Sequence, residues 1–241
     1  MAANKASGGS RPNYYLLETY YLRHGGQLQR IHQFMSQGLS PAVQKIHPGP
    51  QIFLEGVISA HLPQFVAILG LDSASDATGL RAQLQQDAAF RQAAEEWESG
   101  PEPPYEHFSQ NLLKAADYSP SIDLARRARE ARLFELRVYH SPAWSQLSAL
   151  HDRFAGPESK IFHRVGIHPV LYCETAIGSN MPNLTYLTPF DSLAAREAAW
   201  NAFAADPEWV KVRKASIDAH GQIASVIHIS LLKATSYSPF M

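Results

Sequence analysis

The chain has 241 residues, of which 45% are hydrophobic and 18% charged, with a formal net charge of −1 and one cysteine. That balance describes a globular protein with ample core material. It excludes a basic nucleic-acid-binding field, an acidic cation sink, a disulfide framework and a membrane span of about 20 apolar residues.

The first 13 residues, MAANKASGGSRPN, are Gly/Ser-rich, lack the apolar run of a secretory signal and read as a flexible tail. With a lone Cys173 suited to a reducing compartment, the expected location is cytoplasmic. YYLLETYYL then carries the aromatic bias of a strand, and GGQLQRIHQFMSQ follows with Leu28, Ile31 and Met35 at helical spacing. After a Gly/Pro break, GPQIFLEGVIS and PQFVAILGL read as two strands of a hairpin. DSASDATGLRAQLQQDAAFRQAAEEW begins on Asp72-Ser73, a helix-capping pair, and SQNLLKA closes the series as a fourth strand. SIDLARRAREAR, with Arg126, Arg127, Arg129 and Arg132, reads as a linker at 121–132, either a solvated face or a patch for an acidic partner.

From there the series repeats. FELRVYH, SPAWSQLSALHDRF, HPVLYCETAIG, PNLTYLTPF, DSLAAREAAWNAFAADPEWVKVRKAS and HISLLKA repeat the pattern strand, helix, strand, strand, helix, strand. LLKAADYSP, from Leu112, returns as LLKATSYSP, from Leu231, an offset of 119 residues. The same offset, without a gap, pairs Tyr20 with Tyr139, His32 with His151, Lys45 with Arg164, Glu55 with Glu174, Pro63 with Pro182 and Asp87 with Asp206. Chance does not hold one register over more than a hundred positions, so the chain is two copies of one domain. Asp72 and Asp191 are expected to cap helices, and Pro207 to restart a helix capped by Asp206. The order β-α-β-β-α-β is the ferredoxin-like unit. The expected fold is α+β: two tandem units, at 14–120 and 133–241, whose antiparallel sheets face each other in an α/β barrel.

FELRVY, FDSLAAREAAWNAFAADPEW and the terminal LLKATSYSPF resemble the NIPSNAP family, of the dimeric α/β-barrel superfamily. The second copy carries the resemblance. The first departs from it, with LLETYY for the Glu-Leu-Arg pattern and QDAAF where the second has ADPEW, but keeps the closing motif. The resemblance implies a ferredoxin-like barrel. The wider superfamily includes cofactor-free monooxygenases, haem-degrading enzymes, isomerases and cyclases, by analogy only.

His32 and His151 lie on or beside the apolar stripe of the first helix of each copy and are expected to point at the sheet. There each is either an acid, base or ligand, or a buried histidine satisfied by a carbonyl or carboxylate. Tyr20 and Tyr139 sit mid-strand on the faces of Glu18 and Arg137, as substrate-orienting phenols or as core side chains. His140 stands beside Tyr139 where the first copy has Tyr21, which points to the second half as the one keeping a working site. Glu55 and Glu174 interrupt apolar strands. Each lines a pocket, pairs with an arginine such as Arg137, or meets solvent. Lys114 and Lys233 are single polar residues in apolar strands, pocket wall or solvated edge. His163, His168 and Cys173 match no zinc spacing, and no dinucleotide, Walker, zincin or nucleophile-elbow motif is present.

The reading is therefore of a cofactor-independent, metal-free small-molecule enzyme with a His/Tyr pocket for a small apolar or aromatic ligand. The alternative is a non-catalytic binding or interaction scaffold. A monomer with an intrachain barrel and a homodimer are both compatible with the duplication.

Overall fold

In the computed structural model, residues 11–122 and 133–239 are described. The first ten residues, the linker arginines and the last two residues lie outside them. The first copy comprises β1 (Tyr14–Tyr21), α1 (Gln27–Phe34), a π-helical turn (Met35–Leu39), α2 (Ser40–Ile46), β2 (Gln51–Ile58), β3 (Gln64–Leu71), α3 (Ala74–Leu84), α4 (Ala88–Glu98) and β4 (His107–Ala115). The second comprises β5 (Leu133–His140), α5 (Trp144–Arg153), a π-helical turn (Phe154–Glu158), α6 (Ser159–Arg164), β6 (Leu171–Ile177), β7 (Asn183–Phe190), α7 (Leu193–Ala205), α8 (Pro207–His220) and β8 (Val226–Ala234). The π-helical turns recur at the 119-residue offset, so the first helical segment of each copy is interrupted at the same place. Gly38 is needed in the first turn, because a Cβ there would stand 2.7 Å from Cβ of Ala93 on α4.

Each copy orders its strands as a ferredoxin-like sheet, β4-β1-β3-β2 and β8-β5-β7-β6, and all neighbours are antiparallel. The outer strands then pair across the copies, β2 with β8 and β4 with β6, closing an eight-stranded barrel. The two seams share one register: Leu54 faces Ala234 and Glu55 faces Lys233, as Cys173 faces Ala115 and Glu174 faces Lys114. The expected tandem ferredoxin-like barrel is thus the observed fold, and closure removes the open edges that a lone sheet would carry.

Because side chains alternate along a strand, β1 and β5 each serve two cores. Tyr15 and Leu17 point into the barrel with Ile52, Leu54, Val66, Phe134, Leu136, Leu171, Cys173 and Leu232, which fill it. Leu16 and Tyr20 point outward under the first copy's helices, and Tyr139 under the second's. At about 1.5–3 kcal/mol for each buried large apolar side chain, these three cores supply most of the drive to fold.

The helix starts need one correction. Ser73 and Ser192, not Asp72 and Asp191, are the N-caps, each accepting a hydrogen bond from a backbone N–H three residues on. A hydroxyl at that position reaches the free N–H of the first turn, whereas the aspartate lies one residue too early. Asp206 caps the restarted α8 with Pro207 in its first turn, as expected, and Asp87 does the same for α4. Each of these aspartates also binds the basic residue of the preceding short helix, Lys45 to Asp87 at 2.6 Å and Arg164 to Asp206 at 2.7 Å. None of the helices among the described residues is long and apolar enough to cross a membrane.

Candidate functional site

The repeated Tyr-Ser-Pro tails pack against the opposite copy. After β4, the N–H of Ala116 donates to the Tyr172 carbonyl (2.9 Å), and Ser119 Oγ accepts from the Tyr172 N–H (3.0 Å). After β8, Thr235 N–H donates to the Phe53 carbonyl (3.0 Å), and Ser238 Oγ accepts from the Phe53 N–H (3.1 Å). The phenols complete the exchange: Tyr118 Oη lies 2.9 Å from His151 Nδ1, and Tyr237 Oη 2.9 Å from His32 Nδ1.

Both expected histidines therefore sit at the seams, each held by a tyrosine from the other copy. His32 Nε2 is 3.3 Å from Glu55, and His151 Nε2 is 3.9 Å from Glu174, which also pairs with Lys114 at 3.5 Å. Burial holds the His151 imidazole below its usual proton affinity, an effect that Glu174 partly offsets. Lys233 stands opposite Glu55 in the β2–β8 ladder. Neither glutamate pairs with Arg137, because Arg137 points outward on β5 to Glu135.

Under the second copy's helices the space is taken up by charge. Glu135, fully buried, accepts from Arg137 Nε (2.6 Å), from Arg196 Nε and Nη2 (2.9 Å each) and from Trp200 Nε1 (2.8 Å). The Arg137 guanidinium lies 3.5 Å from the centre of the Trp200 ring and donates to Tyr139 Oη at 3.0 Å. Beyond it, buried Glu158 pairs with Arg153 at 2.6 Å. Burial outweighs that partner and raises the Glu158 carboxyl from the ordinary 4.5 to about 7. What remains open there is a cavity of ≈ 150 Å³ against Tyr139 and Glu158. His140 stands apart from this cluster, its ring 4.6 Å from that of His228.

The first copy has the same frame and different contents. Across the 119-residue offset Glu135 becomes Leu16, Arg137 becomes Glu18, Arg196 becomes Ala77, Trp200 becomes Arg81, Arg153 becomes Phe34 and Glu158 becomes Leu39. Smaller and apolar residues leave a cavity of ≈ 570 Å³ between sheet and helices. Its floor is the outward face of two paired strands, with Leu16, Glu18 and Tyr20 of β1 opposite Leu112, Gln110 and Phe108 of β4. Its roof is α3 and α4, where Ala77 and Ala94 give room and Leu80, Leu84, Phe90 and Trp97 give apolar wall. Arg30 holds the end of α4 by donating to the carbonyls of Trp97 and Glu102.

Glu18 is the buried charge of this cavity. It accepts from Tyr20 Oη at 2.8 Å and from Gln110 Nε2 at 2.6 Å, and forms no ion pair among the described residues. Burial raises its proton affinity against those two hydrogen bonds, and burial beside Glu18 pushes the Tyr20 phenol upward as well. Tyr20, Trp97, Tyr105 and Phe108 surround one another at ring separations of 5.3–6.1 Å. The indole N–H of Trp97 is buried without a partner among the described residues.

Of the sequence-picked residues, then, Tyr20 alone lines this cavity. Tyr139 and Arg137 belong to the second copy's packed network, His32, His151, Glu55, Glu174, Lys114 and Lys233 to the seams, and His140 to neither. Sequence reading placed Glu18 on the face of Tyr20 without selecting it, and passed over Gln110, Trp97, Tyr105 and Phe108. A signal was available. In a gapless duplication, paired positions that differ in volume or charge, such as Ala77 against Arg196, mark where one copy is hollow. Among the described residues no group of three or more His, Cys, Asp or Glu side chains is arranged to hold a metal ion.

No functionally curated protein matches the sequence. Three solved structures share the fold over nearly the whole chain. A candidate monooxygenase from Lactobacillus acidophilus NCFM is 8% identical, with 92% of this chain and 93% of the other covered, at a TM-score of 0.54. One from Fusobacterium nucleatum is 8% identical, with 93% of each covered, at 0.53. A variant of chlorite dismutase from Candidatus Nitrospira defluvii is 8% identical, with 95% and 93% covered, at 0.52. At that identity the likeness is one of fold. In sequence, residues 134–239 match the NIPSNAP family.

Proposed function

We propose that this is a small-molecule-binding protein of enzyme-like fold whose ligand lies in the first copy's cavity, with Glu18 as its proton acceptor and Tyr20 as the residue that positions it. The observation that carries this is the ≈ 570 Å³ cavity, a volume in the range of drug-sized ligand sites, against ≈ 150 Å³ beneath the second copy's helices and a barrel packed with apolar side chains. A mostly apolar wall with a few convergent polar groups is what such sites present. Glu18, its proton affinity raised by burial, accepts a proton from a ligand O–H, N–H or activated C–H, while the Tyr20 hydroxyl holds the carboxylate in place. Chemistry of that kind needs no bound cofactor, which fits the cofactor-independent proton-transfer reading over a purely mechanical scaffold.

The test is titration with N-phenyl-naphthylamine, a neutral fluorophore that brightens in apolar surroundings. The wild type should bind one equivalent, and Ala77→Trp, which fills the roof, should weaken binding by more than about tenfold. Trp209→Phe, in the second copy, should leave it unchanged. No binding by a natively folded wild type, or binding indifferent to Ala77→Trp, would overturn the proposal.

A further inference from the structure

The two copies solve one electrostatic problem in different ways. In the second, a buried carboxylate, Glu135, meets a cation that belongs to the chain, and that cation lies flat on an aromatic ring: Arg137 over Trp200 at 3.5 Å. The constellation is carboxylate, guanidinium and aromatic face, and its parts satisfy one another. In the first copy the carboxylate is Glu18 and the aromatic faces are Tyr20, Trp97, Tyr105 and Phe108, but the positions of Arg137 and Arg196 hold Glu18 itself and Ala77. Among the described residues no cation pairs with Glu18, and the space beside it is open. At the rim, Arg81 and Glu98 are both exposed and opposite in sign.

We infer that the cavity recognises an organic cation: a ligand with a protonated amine or other ammonium group on an apolar or aromatic body, seated with its charge between the Glu18 carboxylate and the surrounding rings. This rests on the cavity being the ligand site. Three physical terms favour such a ligand. A buried carboxylate without a counter-ion is costly, and a cation brought in by the ligand removes that cost. Aromatic faces attract a cation, most strongly where water is excluded. The remaining wall, with Leu16, Leu80, Leu84 and Phe90, takes the apolar body. A ligand anion would meet the buried Glu18 carboxylate, and the lining cation Arg81 is exposed and offset by Glu98, so anionic ligands are selected against.

The experiment compares two competitors of nearly the same shape for displacing N-phenyl-naphthylamine near neutral pH. One is naphthylmethyl-dimethylammonium and the other its uncharged carbon isostere, isobutylnaphthalene. The ammonium should compete at concentrations lower by about tenfold or more. Glu18→Gln, which preserves volume and hydrogen-bonding capacity, should abolish that advantage while leaving the isostere within about twofold of its wild-type value. Tyr105→Leu, at the ring cluster and away from the carboxylate, should reduce the advantage in part, and serves as the deciding variant if Glu18→Gln does not fold natively. An isostere that competes as well as the ammonium, or an advantage that survives both substitutions, would overturn the inference and leave the small-molecule site standing. Failure of the fluorophore itself to bind would remove the site, and the inference with it.

Discussion

Glu158 shows how much a single buried residue departs from what its letter suggests. It sits at the end of the second copy's π-helical turn, paired with Arg153 at 2.6 Å, yet burial raises its carboxyl from 4.5 to about 7. A carboxyl with a raised folded value costs nothing below about pH 4.5, where both states are protonated. Between there and about pH 7 the unfolded state ionises first, so stability falls as pH rises, by up to about 3 kcal/mol. Urea unfolding of the wild type and Glu158→Gln should therefore differ in slope over that interval, the variant losing less stability with rising pH. Parallel profiles would mean that Arg153 fully compensates the charge. Glu135, fully buried, is instead surrounded by donors, with four contacts from three side chains. Glu18 has two neutral donors and faces an open cavity.

At the scale of elements, the Tyr-Ser-Pro tails are reciprocal clasps. Each lays a serine hydroxyl on a buried backbone N–H of the other copy's second strand, Ser119 on Tyr172 and Ser238 on Phe53. Removing the hydroxyl leaves that N–H without an acceptor, which costs about 1–3 kcal/mol. Ser119→Ala and Ser238→Ala should each destabilise the whole chain by that amount in urea denaturation, and the double variant by nearly the sum, because the two clasps share no residue. A negligible cost for both would mean that the strand ladders alone hold the copies together. The duplicated pairs Lys45–Asp87 and Arg164–Asp206 are a milder device, because their basic side is exposed and solvent screens the attraction. Their recurrence explains why the offset matches a lysine with an arginine and conserves the aspartate.

For the whole molecule, closure has a price that the duplication covers. A lone ferredoxin-like sheet of this type leaves two outer strands with unpaired backbone on one side, and each copy here covers the other's. If the chain is divided between 122 and 133 and the pieces are produced separately, each should self-associate or remain unfolded. Mixed, they should form a one-to-one complex by light scattering. Stable, monomeric single copies would show that seam pairing contributes little. Joining the copies in one chain also frees them to diverge, since a substitution in one is no longer imposed on the other. The charged network around Glu135 and the hollow around Glu18 are that divergence.

What the sequence by itself determined is regular and local. The 119-residue register, the strand and helix order, the capped restart at Asp206 and the two-unit barrel follow from apolar periodicity and turn chemistry, which are properties of neighbours along the chain. The tertiary structure alone decided which copy each tail clasps, because Tyr118 is 33 residues from His151 but Tyr237 is 205 from His32, and nothing in either interval encodes the crossing. It also decided where the molecule is hollow. That depends on summed side-chain volumes from β1, β4, α3 and α4, which no single segment reveals. The expectation of a working site in the second copy rested on His140, whose ring lies beside that of His228 and away from that copy's buried charges. Side-chain volumes set the contrast there, with a cavity of ≈ 150 Å³ beside Tyr139 and Glu158 in the second copy against ≈ 570 Å³ beside Glu18 and Tyr20 in the first.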